Sequence, residues 1–311
     1  MTRIEIRNNL EAPHAGKKWP LYRMIANKIK SDSALPDLTL LDYSALWCAP
    51  WWGLDSSSVF SKLAVDQQND VLSNCNQSLL SEAYFIEKSG LAYSAKMVLT
   101  AKNTDEAQLY AFIGADEARH LAWVEPYLSA NSKRLPRGHF LSFLSSLIEE
   151  YPRHLLIYLV QIILEGWGLD HYGRLSKFCL HPDLARVLAS ILKDEALHHK
   201  SGTVLFDSSE LSACDYALIE DALQHYTMMV RVGPLTALAA VDRVAGGLNA
   251  TELEEVVVAL RHEEETPRKL QLLRNLMLQP RLERTVDILD AEGCFLPASS
   301  REVVDCYLSY R

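Results

Sequence analysis

Two short segments hold the residues best suited to chemistry: Asp116-Glu117-Ala118-Arg119-His120 and Asp194-Glu195-Ala196-Leu197-His198. They agree in four of five positions and lie 78 residues apart (195 − 117). On a helix, Glu and His at i and i+3 stand one turn apart and about 60° around the axis, so both can grip one metal ion. The flanking sequence repeats at the same offset. Ile86-Glu87-Lys88-Ser89-Gly90-Leu91 aligns with Leu164-Glu165-Gly166-Trp167-Gly168-Leu169, and 165 − 87 is again 78. In both halves the lone Glu precedes the motif Glu by 30 residues (117 − 87 and 195 − 165). A third E-x-x-H, Glu11/His14, contains Pro13 in a proline-rich segment and reads as accidental, so E-x-x-H by itself is weak evidence.

The spacing fixes heights as well as faces. The midpoint of 87 and 117 falls at the expected turn Lys102-Asn103-Thr104, and that of 165 and 195 beside the turn before Pro182. In an antiparallel helix pair, residues equidistant from the turn lie at one level. Each half therefore presents two carboxylates and one imidazole together. Two such hairpins face to face give four carboxylates and two histidines in a bundle interior, a two-metal constellation. Glu165 follows the apolar run Leu155 to Leu164, broken only by Gln161, where an isolated ionised carboxylate would be costly and a cation offsets the cost. The competing reading is four glutamates paired with lysines or arginines and two core histidines; the duplicated spacing weighs against it. Glu82 lies five residues from Glu87, about 7 Å along the axis, too far to share its ion.

The elements that must hold these residues read as helices, with no convincing period-two strand. Residues 1–57 are expected to be an irregular segment packing on the bundle, with Pro13, Pro20, Pro36 and Pro50 and a cluster of Trp47, Trp51 and Trp52. Residues 58–206 are expected to form the four-helix bundle, with helices over about 59–101, 104–129, 139–178 (kinked or restarted at Pro152) and 182–205. Asn103/Glu106 and Thr251/Glu254 read as capping boxes. Asn131 to Gly138 reads as a linker. Residues 207–311 read as an all-helical C-terminal extension punctuated by Pro234, Gly246-Gly247, Pro267 and Pro280.

Composition narrows the function. The 311 residues are 49% hydrophobic and 23% charged, an ordinary globular balance. A net charge of −9 argues against a nucleic-acid partner. Two basic clusters, Lys17 to Lys30 and Lys133 to Arg137, read as solvated faces. Six scattered cysteines without a C-x-x-C pair argue against a zinc ribbon or a rubredoxin-type site and suggest reduced thiols in a cytoplasm. The charged start Met1-Thr2-Arg3-Ile4-Glu5 lacks a signal peptide's apolar core, and the longest apolar run is about half a membrane span. A cytoplasmic protein with no membrane partner is expected.

The paired D-E-x-x-H motif with its upstream glutamates resembles the ferritin-like di-iron carboxylate superfamily over about residues 59–205. The resemblance implies an all-α, ferritin-like four-helix bundle with additional C-terminal helices. It implies two iron ions as cofactor, Mn/Fe and Mn/Mn fitting the same ligands, held by Glu87, Glu117, His120, Glu165, Glu195 and His198. It implies dioxygen activation and a crossed pairing in which Asp116 supports His198 and Asp194 supports His120. An oxygenase or oxidase of a small or medium organic molecule is favoured, because the extra helices can build a pocket. A ribonucleotide reductase small-subunit-like radical protein is the alternative, weakened by Val124 at the position of that family's tyrosine. A bacterioferritin-like iron-handling protein is a third reading, weakened by a chain about twice as long. No dinucleotide fingerprint or iron–sulfur motif is present, so an external electron donor is expected, with a homodimer as one candidate assembly.

Neighbouring residues are assigned lesser roles. His198 is preferred to His199, whose counterpart in the first repeat is Leu121, and Arg119 is set aside because its counterpart is Leu197. Tyr84 is expected to pack, and His171 to lie behind the site or at the surface. Gly90 and Gly168 recur one turn beyond the lone glutamates; a helical glycine costs about 1 kcal/mol, so the pair is expected to serve close helix packing.

Overall fold

A computed structural model of the protein describes residues 41–129, 139–233 and 235–311. Four long elements make the bundle, and a shorter helix precedes the third of them. Helix α1 is Val65–Leu99 and α2 is Thr104–Val124. Helix α3 is His139–Glu150. Helix α4 is continuous but composite, running through Arg153–Leu156, a π-helical Ile157–Leu164 and Glu165–Phe178. Helix α5 is Pro182–Leu205. The hairpins α1/α2 and α4/α5 are the two most extensive helix pairs, and α2 meets α5 across the bundle. No strand occurs among the described residues.

Caps explain where the hairpins turn. Asn103 Oδ1 accepts from the Glu106 backbone N–H at 2.9 Å, satisfying an N-terminal donor of α2. Glu106 reaches back to the Lys102 N–H at 2.8 Å, one residue earlier than the expected box partner. At the second turn the His181 ring accepts from Leu184 N–H at 3.2 Å, with Pro182 in the first helical position.

Several boundaries differ from expectation. The first helix starts at Val65 rather than near residue 59; Ser57 instead caps the separate turn Ser58–Ser61. Extended Ala64 breaks the chain there, and Gln67 accepts its N–H at 3.0 Å. The capping box expected at Thr251/Glu254 lies at Asn249/Glu252. Residues 41–57 hold the helical turns Tyr43–Ala45, Ala49–Trp52 and Leu54–Ser56. These turns are anchored: the Trp47 indole donates to Leu175 O (3.2 Å), the Trp52 indole to Asn76 Oδ1 (2.9 Å), and Asn76 donates to Tyr43 O (2.7 Å). Pro152 does divide the third stretch. Lys96 Nζ, from α1, donates to the carbonyls of Ile148 (2.6 Å) and Tyr151 (2.8 Å) at that break. A cation there complements the C-terminal end of α3. The Glu11/His14 motif, the basic clusters and the linker from Asn131 lie outside the described residues.

Six further helices complete the chain: α6 Ala213–Val232, α7 Leu235–Val244, α8 Ala250–Ala259, α9 His262–Met277, α10 Glu283–Ala291 and α11 Ser300–Tyr310. They wrap the bundle: α7 packs on α1, and α9 on both the π segment and the later part of α4. Apolar side chains form a core on either side of one level of the bundle. Tyr93, Met97, Ile148, Ile162 and Met277 lie in one, Leu80, Val124, Tyr172 and Leu188 in the other. The buried polar residues sit between them.

Candidate metal centre

Helix α1 supplies Glu87, α2 Glu117 and His120, α4 Glu165, and α5 Glu195 and His198. The fold brings all six together. Glu87, Glu117, His120 and Glu195 each offer a ligand atom within 4.8 Å of the others, and Glu165, Glu195 and His198 form a second such group, Glu195 belonging to both. His120 is fully buried, and Glu195, the most exposed of the first group, is 6% accessible. Glu82 belongs to neither group.

Each imidazole shows one nitrogen to the cluster. His120 Nδ1 is 2.9 Å from Glu87 Oε2 and 3.5 Å from Glu195 Oε1, while Nε2 donates to Asp194 Oδ2 at 3.1 Å. His198 Nδ1 is 3.4 Å from Glu117 Oε1, and Nε2 donates to Asp116 Oδ2 at 3.3 Å. Each hairpin's aspartate thus orients the other hairpin's histidine. A carboxylate behind a ligand imidazole fixes its tautomer and raises its basicity.

Arg119, set aside on sequence grounds, ties this frame together. Its guanidinium donates to Asp116 Oδ1 and, at 3.2 Å, to Asp194 Oδ2, while lying over the Trp123 ring at 5.4 Å. Two more supports carry no signal in the repeat. The Tyr172 hydroxyl donates to Glu87 Oε1. Gln161, in the π segment one turn before Glu165, accepts from the hydroxyls of Tyr93 (2.9 Å) and Tyr110 (3.0 Å) and donates to His198 O (2.9 Å) and Ser201 Oγ (2.6 Å). Short π segments inside α-helices recur at functional sites because the wider turn re-aims the residues after it. His199 lies off the cluster, its Nδ1 3.3 Å from Gln161 O.

The glycines resolve differently in the two halves. A Cβ on Gly90 would stand 2.5 Å from Glu117 Oε2, whereas one on Gly168 would meet nothing within 4 Å. Gly90 makes room for a carboxylate, not for a helix backbone, and Gly168 borders open space.

Protonation shows what the cluster lacks. Burial, and then the charges of Glu117 and Glu87, raise the Glu195 carboxyl well above the carboxylate range. Glu165 is raised in the same way by burial and then by Glu195. Burial opposes charge on His198, but hydrogen bonds with Asp116 and Glu117 outweigh it and push its pKa to about 11. The same contest, with Asp194, Glu117 and Glu87 as partners, raises His120 still further. Burial would raise Glu117 too, yet hydrogen bonds from both histidines hold it near 2. Protons thus stand where cations would. Glu165 Oε2 is buried without a hydrogen-bond partner, as a donor aimed at an ion would be. Mixed oxygen and nitrogen donors suit iron or manganese. This is an all-α helical bundle whose donors fit a two-metal site.

No protein-family model matches the chain, and no curated protein matches it. Among solved structures, the chain is similar to a variant of an R2-like ligand-binding oxidase with an aerobically reconstituted Mn/Fe cofactor. The match has 14% identity, covers 94% of this chain and 98% of that one, and gives a TM-score of 0.31.

A cavity of about 510 Å³ opens onto the centre of the bundle. Glu87, Glu117, Glu165 and Glu195 all line it, with Gly90 and Gly168 beside them. Its walls come from the α1 and α4 turns that carry single carboxylates, and from α3, α6 and α9. His171, expected behind the site or at the surface, lines the cavity instead, two turns of α4 beyond Glu165. Tyr84 packs edge-on against Phe85. Among the described residues, no helix is long and apolar enough to cross a membrane.

Proposed function

We propose that the protein is an oxygen-dependent oxidoreductase holding two iron ions, or a manganese–iron pair, through Glu87, Glu117, His120, Glu165, Glu195 and His198. The observation that carries this reading is the cavity on the carboxylate face of the cluster. Its volume is within the range of small-molecule sites. Two redox-active ions bound there would supply the electrons that dioxygen activation requires.

The chain's own residues do the positioning. Asp116 and Asp194 hold the histidine rings by Nε2 and leave Nδ1 facing the cluster. Arg119 fixes both aspartates, and Tyr172 orients Glu87. Leu164, Trp167, Leu144 and Ile148 give the cavity apolar walls that exclude water around a substrate. Oxygen insertion into, or hydrogen removal from, an organic molecule beside the carboxylates follows, with reducing equivalents from a separate donor.

The test is oxygen uptake by iron-loaded protein supplied with a chemical reductant. Uptake should accelerate with a cavity-filling organic ligand and fall when Gly168→Leu narrows the cavity. Uptake indifferent to both would count against the reading. A radical-storing alternative gains from Tyr172, whose phenol touches Glu87. A stable tyrosyl signal after oxygen exposure, lost in Tyr172→Phe, would favour it.

A further inference from the structure

The cavity has two chemically different regions. One carries the four carboxylates, and the other carries His171, Asp170, Arg174, Glu265 and Lys269, from α4 and α9. Most of the charges in that second region are already matched. Arg174 pairs with Glu265 at 3.3 Å, and Arg268 grips both oxygens of Asp170 at 2.9 and 3.0 Å. Among the described residues, Lys269 has no ion pair. Burial, then the nearby Arg174, lowers its pKa, with Glu265 and Asp170 opposing, so the cation is disfavoured where it stands. Glu82, which also lines the cavity, makes no ion pair with Lys269 among the described residues, and burial raises its carboxyl. His171 is held neutral, its pKa lowered to about 4 by burial and then by Lys269. Arg174, Arg268 and Lys269 against Asp170 and Glu265 leave one positive charge, beside an imidazole able to donate an N–H.

A poorly solvated ammonium with no partner is costly to keep. It is economical only if a ligand brings the missing charge. We propose that the cavity binds a monocarboxylate with an apolar body, its carboxylate held by Lys269 and His171 and its other end at the four glutamates. One excess positive charge matches a carboxylate; a phosphate monoester, near −2, would leave charge unmatched. Trp167, Leu164 and Leu273 supply apolar surface for the body. This deepens the oxidase reading by naming its substrate class and rests on it only for the reaction at the glutamate end.

The experiment uses metal-loaded, full-length protein and calorimetric titration. The probes are octanoate and 4-phenylbutyrate, each beside its primary amide and the matching alkyl phosphate. Wild type should prefer carboxylate to amide by about tenfold or more, the scale of a hydrogen bond to a charged group. Lys269→Met should erase that preference while leaving amide affinity unchanged, and Lys269→Arg should restore part of it. Unchanged amide affinity also shows that the variant is folded; if Lys269→Met is not, Lys269→Gln takes its place. A preference that survives loss of the lysine charge, tighter binding of the phosphates, or no carboxylate binding at all overturns the proposal. Metal content and oxygen uptake, measured on the same samples, report on the oxidase reading separately. Inert protein that still selects carboxylates through Lys269 would sink that reading and leave this one standing.

Discussion

Gly90→Ala sets helix stability against metal binding within one methyl group. In the middle of α1, alanine gains about 1 kcal/mol over glycine. The added Cβ would lie 2.5 Å from Glu117 Oε2 and 2.6 Å from its Cδ. An ordinary carbon–oxygen contact is about 3.3 to 3.6 Å, so the Glu117 carboxylate must retreat by roughly 1 Å. In the metal-free protein the carboxylate yields at small cost. In the loaded protein it cannot, because its position is set by the ion it shares. Affinity should fall at least as far as on losing a group that supports a ligand, about 10- to 100-fold. The assay is competition with a calibrated chelator for ferrous or manganous ion under anaerobic conditions, beside thermal melts with and without metal. The metal-free melt should hold or rise while the stabilisation gained on metal addition shrinks. Gly168→Ala, whose Cβ meets nothing within 4 Å, should change neither affinity nor metal-dependent stabilisation. Unchanged affinity for both ions in Gly90→Ala would refute the reasoning.

Three further outcomes are expected. Glu87→Ala should abolish loading of two ions per chain while Glu82→Ala preserves it, as counted by elemental analysis; the reverse result would shift the site along α1. Arg119→Ala frees both aspartates, and Asp116→Asn or Asp194→Asn weakens one histidine's support, so each should lower metal affinity about 10- to 100-fold with the helical circular-dichroism signal retained; equal affinity in all three would contradict the frame. Loading should release protons into weak buffer, because His120, His198, Glu165 and Glu195 all have raised pKa values in the metal-free fold. Metal affinity should accordingly rise with pH. For the metal-free fold all four act with one sign, stabilising it below their unfolded values and losing that contribution as pH climbs through their folded values, whereas Glu117, held near 2, stabilises it above the unfolded carboxylate range and loses that as pH falls towards 2. Proton-free loading at neutral pH would count against this account.

Much of the centre was legible because a ligand must repeat its spacing when the hairpin that carries it is repeated. Glu87/Glu165 and the two E-x-x-H pairs converge on one level as their midpoints require. The unpaired supports were not legible. Arg119 faces Leu197 in the repeat, so comparing the halves discards the residue that joins Asp116 to Asp194. The π segment hides in an apolar run whose helical period gives no sign of a wider turn. Counted from Glu165 on a regular helix, His171 points away, yet it lines the cavity because α9 closes over that face of α4. At the start of α1, no Gly or Pro marks the break at Ala64, which a side chain three residues later stabilises.

The crossed support of the two histidines has a consequence for the chain as it is made. His120 depends on Asp194, which lies 74 residues farther along. At about 5 to 20 residues per second, the ribosome needs roughly 4 to 15 s to add that stretch. Throughout this interval the first hairpin can fold, but its imidazole lacks the aspartate that holds its tautomer, and its carboxylates lack Glu195. A redox-active ion meeting the nascent chain finds half a cage. Tight capture therefore waits until the second hairpin has docked, and the newborn protein is spared oxidation at an unfinished centre.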